Sequence, residues 1–337
     1  MTATDLTTAF DWLEFTVKEL TLQDLISEIL QLKEAEFKAL QCGRFGYNTQ
    51  WKWSEGNVFI LFNSGKDQEP ILNDTMGIHT IITGTGCRTY EQYRGIRELL
   101  LTVIEKVPEN SKFTRIDLAI DDHQDKLINY DRIHTAAING MFTSRWNKWD
   151  ELNSRSCTDG NFIGRTMYFG SQKSDIFVRI YDKKLERLAN RSENAEKLCA
   201  WTRLEVVFKK ERAQLLAKHL TNGTDIGIVL RSTLNNYIRF LAEPDKPDSN
   251  KSRWPTAEWW QELLGDVDKL KLTILPLERT IEQMQDWVNQ QIAPTLSTLM
   301  MAYDGDLSWV YKTIHHGMNH MKAKHVDAIN EFQKIGG

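Results

Sequence analysis

The run from Thr166 to Lys184 is the feature that most restricts how this chain of 337 residues can fold. It places Arg179, Tyr181 and Lys183 at alternate positions of an apolar segment. Alternate side chains of a β-strand share one face, so the pattern predicts a strand with a phenol between two cations. Neighbouring cations favour a phenolate and attract phosphate, which makes the tyrosine a candidate nucleophile for a phosphodiester. The alternative is a tyrosine that only packs within a strand.

Two further segments alternate apolar and charged residues in the same way. In the upstream segment, one face of the predicted strand carries Arg115, Asp117 and Asp121. In the downstream segment, one face of the predicted strand carries Arg203 and Glu205. If the three strands are neighbours, the phenol faces three carboxylates, whose oxygens suit Mg²⁺ or Mn²⁺. A divalent ion beside a tyrosine and arginines is typical of phosphoryl transfer. The alternative for Asp117 and Glu205 is a structural ion pair with an arginine of the sheet. The alternative for Asp121 is a cap of the turn that follows the strand.

Four short motifs in a fixed order carry a family resemblance. They are R-I-D-L-A-I-D at 115–121, G-x-T-x-Y-x-G-S-x-x-S at 164–174, R-I-Y-D-K at 179–183 and W-x-R-L-E at 201–205. The ordered set resembles the replication initiation factor family, which includes plasmid rolling-circle initiators and related relaxases of conjugative elements. The similarity also covers residues 10–16 and 84–88, so it spans roughly residues 10 to 210.

The resemblance implies an α+β fold. Its antiparallel, palm-like sheet is a permuted relative of the HUH and RRM sheets, with helices on one face and a helical C-terminal region after it. We expect a nicking and nucleotidyl-transfer domain over residues 1–245 and a helical region over 250–337 for DNA recognition or dimerisation. The Pro- and Asp-rich stretch at 243–248 is the candidate linker between them.

The resemblance also implies a metal site built from carboxylates. HUH nucleases bind their metal with two histidines separated by one apolar residue, whereas His315 and His316 of this chain are adjacent. We therefore expect Asp117 and Glu205, together with Asp121, to hold the Mg²⁺ or Mn²⁺.

The implied activity is sequence-specific, metal-dependent nicking of one DNA strand at the start of rolling-circle replication. Tyr181 would attack and leave a 5′-phosphotyrosine and a free 3′-OH primer, with later rejoining of the strand. Arg179, Lys183 and Arg203 would offset the developing negative charge. Lys184 is one candidate for the base that takes the phenol proton.

The partners expected from the resemblance are double-stranded origin DNA, a single-stranded nick site, a host UvrD-like helicase and a host DNA polymerase. A second copy of the chain is expected as well, in a homodimer. Two alternatives stay open. One is a relaxase of an integrative conjugative element with the same chemistry, and the other is a DNA-binding repressor that keeps the fold without catalysis.

The resemblance implies a protein of the bacterial cytoplasm, encoded by a plasmid, phage or conjugative element, and charge and composition are compatible with DNA binding. The net charge of −4 argues against a protein that simply coats DNA, but residues 161–220 contain 13 Lys or Arg against 7 Asp or Glu. No apolar run is long enough to span a membrane, and no basic, apolar start resembles a secretory signal. The four cysteines are too widely spaced for a zinc site or a disulfide framework.

Periodicity predicts the remaining elements. Strands are expected at residues 10–17, 58–63 and 77–83, helices at 23–41, 89–106, 130–139 and 184–199, and mostly helix after residue 211. The helices at 23–41 and 89–106 are expected to cover the buried face of the sheet. Gly84-Thr-Gly86 is interpreted as a turn, and Trp146 and Trp149 are assigned to a loop.

Overall fold

The computed structural model describes residues 6–65, 70–71, 74–190, 196, 200–265, 281, 284–285, 288–319, 321, 325–326, 329–330 and 332–333. The chain divides into two compact units, Met1–Leu272 and Thr273–Gly337. The first unit therefore continues past residues 245–250, where the sequence suggested a division. None of the described helices combines the length and apolar character needed to span a lipid bilayer.

The first unit is built on one large antiparallel sheet. The described strands are β1 (Leu6–Val17), β2 (Phe37–Leu40), β3 (Thr49–Trp53), β4 (Val58–Phe62), β5 (Ile78–Ile82), β6 (Ser111–Asp122), β7 (Phe142–Ser144), β8 (Trp149–Arg155), β9 (Phe162–Phe169), β10 (Ile176–Asp182), β11 (Thr202–Lys209) and β12 (Ile238–Phe240). Ten of them form one sheet in the order β2-β3-β4-β5-β1-β6-β11-β10-β9-β8, while β7 pairs with β12. The predicted α+β fold with an antiparallel sheet is confirmed.

The described helices of the first unit are α1 (Leu22–Asp24), α2 (Gly84–Glu91), α3 (Ile96–Lys106), α4 (Tyr130–Ile138), α5 (Lys183–Ala189), α6 (Glu211–Thr221), α7 (Ile226–Tyr237) and α8 (Glu258–Leu264). In the second unit, α9 (Ala293–Ala302) and α10 (Ser308–Met318) are described. The buried sides of α3, α6 and α7 join the main hydrophobic core, because their apolar residues recur at helical spacing.

The two faces of the sheet differ because side chains alternate along each strand. The inner face carries residues such as Phe15, Leu118 and Val206, which are fully buried in the main core. The outer face carries the charged residues of the central strands, including Asp117 and Glu205. The pairing of Val206 with Leu118 and of Val207 with Asp117 keeps these two sets apart.

The predicted helix over residues 23–41 is wrong in its second half. The helical turns of α1 continue as a π-helical turn at Leu25–Ile29, whose apolar residues enter the core. Gln31 then adopts a left-handed backbone with φ 54°, which ends the helix. Phe37–Leu40 instead pairs with β3, so tertiary pairing overrides the local helical pattern.

The predicted helix over 89–106 is two helices, α2 and α3, and Gly84-Thr-Gly86 begins α2 instead of forming a turn. A Cβ atom on Gly84 would lie 2.7 Å from Asp11 Oδ1, and one on Gly86 would lie 2.3 Å from the Asn57 carbonyl oxygen. The two glycines therefore allow the helix to approach the sheet closely.

Two further predictions need adjustment. Trp149 begins β8, so it does not lie in a loop. The predicted helix at 184–199 is seen as α5 over Lys183–Ala189, and residues 191–195 and 197–199 lie outside the described part of the chain.

Candidate active site

The strands β6, β11 and β10 are neighbours, as the alternating patterns predict. Arg203 on β11 is in register with Asp121 on one side and Tyr181 on the other. Glu205 on the same strand is in register with Arg179 of β10. The antiparallel register thus brings the predicted nucleophile, two of the predicted cations and two of the predicted carboxylates to one place on the outer face.

Tyr181 is held by a carboxylate and an ammonium group. Its hydroxyl donates a hydrogen bond of 2.5 Å to Glu205 Oε1, and Lys183 Nζ lies 3.3 Å from the same hydroxyl. Lys183 is itself tied to the Glu186 carboxylate at 2.8–2.9 Å. The phenol is 8% exposed, so its reactive oxygen lies in a largely dry, charged environment.

The sequence-based expectation that nearby cations ease ionisation of Tyr181 is wrong for this arrangement. Burial raises the pKa of the phenol well above its usual value, and the charge of Glu205 raises it further, while Arg203 acts in the opposite direction. The cations cannot outweigh these effects because each is already paired with a carboxylate, as Lys183 is with Glu186. A phenol in this state needs a base to take its proton.

Two predicted metal ligands are engaged by arginines. Asp117 is fully buried and accepts from Arg115 Nε at 2.9 Å and Nη2 at 2.6 Å. Asp121 accepts from Arg203 Nε and Nη2, both at 2.6 Å, and from Trp201 Nε1 at 2.6 Å. These contacts match the ion-pair alternative noted from the sequence.

The sequence analysis missed Asp11, which a β-bulge in β1 turns onto the outer face. The register shifts between Phe10 and Trp12, leaving Asp11 as the extra residue. Its carboxylate accepts from Arg203 Nη1 at 2.5 Å and lies 3.7 Å from Arg179 Nη2. The available signal was the spacing of the buried apolar residues, which is three residues from Phe10 to Leu13 and two thereafter.

Asp11 and Glu205 are buried carboxyl groups, each of which influences the ionisation of the other. Burial raises the pKa of Glu205 to about 8. Burial also opposes ionisation of Asp11, but Arg203, Glu205 and other partners hold its pKa below the usual value. The charge of Asp11 adds to the effect of burial on Glu205, because neighbouring carboxyl groups oppose each other's ionisation.

The donor chemistry of this pair fits a hard divalent cation, because both groups offer oxygen ligands and a cation would offset their mutual repulsion. Among the residues that the structure describes, no three His, Cys, Asp or Glu side chains are grouped so as to hold a metal ion. The ligand set Asp117, Glu205 and Asp121 therefore stays a prediction, to which Asp11 is added.

A cavity of about 460 Å³ opens beside Tyr181. Its walls include Asp11, Trp12, Arg88, Tyr168, Arg179 and Lys183. The Arg88 side chain is 41% exposed and lies 3.3 Å from Asp11, so it offers positive charge to a ligand in the cavity. Lys184, the predicted base, follows Lys183 on α5, and its backbone N–H donates to the Trp201 carbonyl at 3.2 Å.

Comparisons with known proteins agree with this geometry. Residues 111–314 match the family model for the replication initiation factor, and residues 7–102 match the N-terminal domain of rolling circle replication initiation proteins. The putative DNA relaxase NicK of Bacillus subtilis (strain 168) is 28% identical over 294 residues, covering 87% of this chain and 80% of that protein. A replication initiation protein of Staphylococcus aureus is 24% identical over 190 residues, covering 55% of this chain and 54% of that protein.

A solved structure is similar as well. The rolling circle replication initiator protein from Geobacillus stearothermophilus superposes with a TM-score of 0.66 and 29% sequence identity, covering 80% of this chain and 98% of that chain. The first family model alone spans more than half of the chain, and the resemblance found in the sequence is thereby confirmed. The chain belongs to the replication initiation factor family.

Proposed function

We propose that this protein initiates rolling-circle DNA replication by nicking one strand with Tyr181 as the nucleophile. The family establishes a role as a replication initiator or relaxase, which implies DNA nicking, and the proposal adds the chemistry. The observation that carries it is the 2.5 Å hydrogen bond from the Tyr181 hydroxyl to Glu205, at the wall of a cavity that also presents cations. A nucleophile paired with a base is the arrangement that covalent catalysis requires.

Glu205 is the proposed general base. Its carboxylate already accepts the phenol proton in a hydrogen bond, and its pKa of about 8 lies near the working pH of most enzymes. The phenol oxygen attacks phosphorus as its proton passes to Glu205. The bond between phosphorus and the 3′ oxygen breaks, and the departing 3′ oxygen takes a proton from solvent. The products are a 5′-phosphotyrosine and a 3′-OH, and reversal of the same steps rejoins the strand. This geometry favours Glu205 over Lys184.

The cations have different proposed roles. Arg179 and Lys183, both at the cavity wall, offset charge on the phosphate, and Arg88 can assist them. Arg203 is only 2% exposed, and its guanidinium binds Asp11 and Asp121. We therefore assign it to positioning the carboxylates, not to touching DNA.

The proposed metal ligands are Asp11 and Glu205, with Asp117 beside them. Arg179 Nη2 lies 3.7 Å from Asp11 Oδ2 and 3.9 Å from Asp117 Oδ2, so the carboxylates surround a common positive centre. Asp117 and Asp121 are weaker candidates than Asp11 and Glu205, because both oxygens of each already bind one arginine. A bound Mg²⁺ or Mn²⁺ would stabilise charge on the phosphate oxygens.

A nicking assay with a supercoiled origin plasmid and Mn²⁺ tests the proposal. The native protein should relax the plasmid, and mass spectrometry of the product should locate the DNA adduct on Tyr181. Tyr181→Phe should form no adduct, while Tyr93→Phe, which changes an exposed tyrosine between α2 and α3, should react as the native protein does. An adduct on another residue of Tyr181→Phe would reject the mechanism.

A conjugative relaxase is the second candidate, favoured by the similarity to a putative DNA relaxase over 87% of this chain. The chemistry would be the same, so the two are separated by what Tyr181→Phe abolishes in a host: plasmid replication or transfer to a recipient cell. The nicking assay above separates both from a repressor without catalysis. The family resemblance also implies a host helicase, a host DNA polymerase, a homodimer and a cytoplasmic location. We propose these partners and this location on that ground alone.

A further inference from the structure

A second hydrophobic cluster lies on the outer face of the sheet, apart from the main core. Its buried members are Tyr47, Leu61 and Ile81, and Trp12 and Phe59 pack against them while partly exposed. Ile81 is in register with Phe59 on one side and with Glu14 on the other, and Glu14 pairs with Arg115 of β6. The cluster therefore lies on the same face of the sheet as the candidate active site.

Cations flank this second hydrophobic cluster along one line of the sheet. Lys38, Lys52, Phe59, Ile81, Glu14 and Arg115 are successive register partners on six strands. Neighbouring strands are about 4.8 Å apart, so the line is on the order of 24 Å long. The line contains three cations, Lys38, Lys52 and Arg115, against one carboxylate. That carboxylate, Glu14, accepts a hydrogen bond of 2.6 Å from Trp12 Nε1.

The line leads directly to the active-site cavity. Arg115 stacks over the Trp12 ring at 4.6 Å, and Trp12 forms part of the cavity wall. A ligand bound along the line would therefore reach the surroundings of Tyr181 without crossing the sheet edge.

The loop before β3 presents an aromatic side chain close to Phe59, in the middle of the line. Phe45 is 70% exposed and has a left-handed backbone with φ 56°, which is strained for a bulky residue. Arg44 lies between two rings, 6.0 Å from that of Phe45 and 4.7 Å from that of Phe59. Its Nε donates to Gln50 at 2.8 Å, which fixes the planar guanidinium.

Two contacts of Tyr47 fix the loop that carries Arg44 and Phe45. Tyr47 stacks on His79 with ring centroids 6.1 Å apart, and its hydroxyl donates to the Met76 carbonyl at 3.1 Å. The strained backbone of the exposed Phe45 is fixed by the contacts of the buried Tyr47. Such an arrangement indicates a surface that is preorganised to bind a ligand.

We propose that this outer-face surface, formed by Phe45, Arg44, Phe59, Lys52 and Trp12, binds single-stranded DNA on its way to the cavity. Aromatic rings that alternate with cations can stack on bases while they neutralise phosphates. The faces of the bases are free only in a single strand, so the strand and not the duplex is the occupant. The inference rests on the proposed function, which requires a single strand at Tyr181.

Fluorescence anisotropy with a labelled oligothymidylate of about 20 nucleotides tests the surface, without origin sequence and without a covalent step. Phe45→Ala should weaken binding by about 5- to 150-fold, because a stacking partner is lost. Lys52→Gln should lower the slope of log affinity against log salt by about 0.7, the effect of one phosphate contact on a single strand. The control is Tyr93→Ala, which removes a ring that is 61% exposed and packs on Trp53 of the inner face.

Native affinity in both Phe45→Ala and Lys52→Gln would overturn the inference. So would a duplex of the same length that binds as tightly and is weakened equally by Phe45→Ala. If Phe45→Ala does not fold, Phe45→Leu keeps an apolar side chain and should still lose the stacking. Adduct formation at Tyr181 is measured in a separate experiment. A failure of the binding surface can therefore be distinguished from a failure of Tyr181 as the nucleophile.

Discussion

Single residues of the outer face are stabilised by pairing, since buried charges are costly alone. Arg203 is the clearest case, because it joins Asp11 from β1 to Asp121 from β6. One guanidinium therefore holds together carboxylates from two strands of the site. Any change at this position affects the fold before it affects the chemistry.

Replacing this arginine should destabilise the protein strongly. Arg203→Gln leaves two carboxylates buried without their partner, and a loss of about 3–5 kcal/mol in the free energy of unfolding is expected. Arg203→Lys keeps the charge but not the forked geometry, so its loss should be smaller. Urea unfolding curves measure both, and equal midpoints for the native protein and Arg203→Gln would contradict the prediction.

The stability of the protein should fall in mild acid because of His79. Burial, together with the positive charge of the nearby Arg44, lowers the pKa of this side chain from 6.5 to about 4, so the ring is neutral at pH 7. Its 3.9 Å approach to Glu14 is then no ion pair at that pH. The unfolded chain binds the proton more readily, so stability is lost as pH falls from about 6.5 towards about 4, by on the order of 2–3 kcal/mol.

Unfolding in urea at neutral pH and at about pH 4.5 measures this loss. In His79→Gln, the part of the pH dependence that comes from the imidazole should be absent. An unchanged difference between the two pH values in the variant would show that other groups cause the loss.

At the scale of elements, the bulge in β1 and the start of α2 together position Asp11. The bulge turns the side chain outward, and Gly84 leaves room for its carboxylate. A strand without the extra residue would place either Asp11 or Trp12 on the inner face. The site therefore depends on one irregularity in an otherwise regular strand.

Gly84→Ala tests this packing. The new methyl group would lie 2.7 Å from Asp11 Oδ1, so the carboxylate must move, and a loss of about 1–3 kcal/mol in stability is expected together with slower adduct formation. Gly65→Ala is the control, because its methyl group would meet no atom within 4 Å. Thermal unfolding and adduct yield would be measured, and equal effects of the two substitutions would contradict the role given to Gly84.

The sequence predicted those elements in which the local pattern of polar and apolar residues agrees with the tertiary structure around them. Around Asp117, Tyr181 and Glu205, the strands β6, β10 and β11 alternate polar and apolar residues. Both the existence of these strands and the meeting of Tyr181 with Glu205 could therefore be inferred. The strand β2 could not, because its residues continue an apolar helical pattern and only pairing with β3 decides the outcome. Asp11 was missed because a bulge breaks the period of two on which strand prediction depends.

At the scale of the whole molecule, the first unit contains every residue of the proposed chemistry. The boundary between the units lies after Leu272, and the second unit includes α9 and α10. A role of the second unit in recognising the origin is a prediction from the sequence. It implies that cleavage and recognition can be separated.

A chain that ends at the boundary between the units should still form the Tyr181 adduct with a nick-site oligonucleotide. It should lose the preference for origin sequence over unrelated sequence, because the recognising part is removed. Competition between labelled and unlabelled oligonucleotides measures the preference. A truncated chain as selective as the full protein would place recognition in the first unit.

The central position of β1 has a consequence for how the chain can be divided. The strand β1 is paired on one side by β5 and on the other by β6, which ends only at Asp122. A nascent or severed chain that stops near residue 102, where the match to the N-terminal domain model ends, leaves one long edge of β1 bare. Bare edges of this kind template aggregation, so the two matched regions should be recovered in soluble form only when they are produced together.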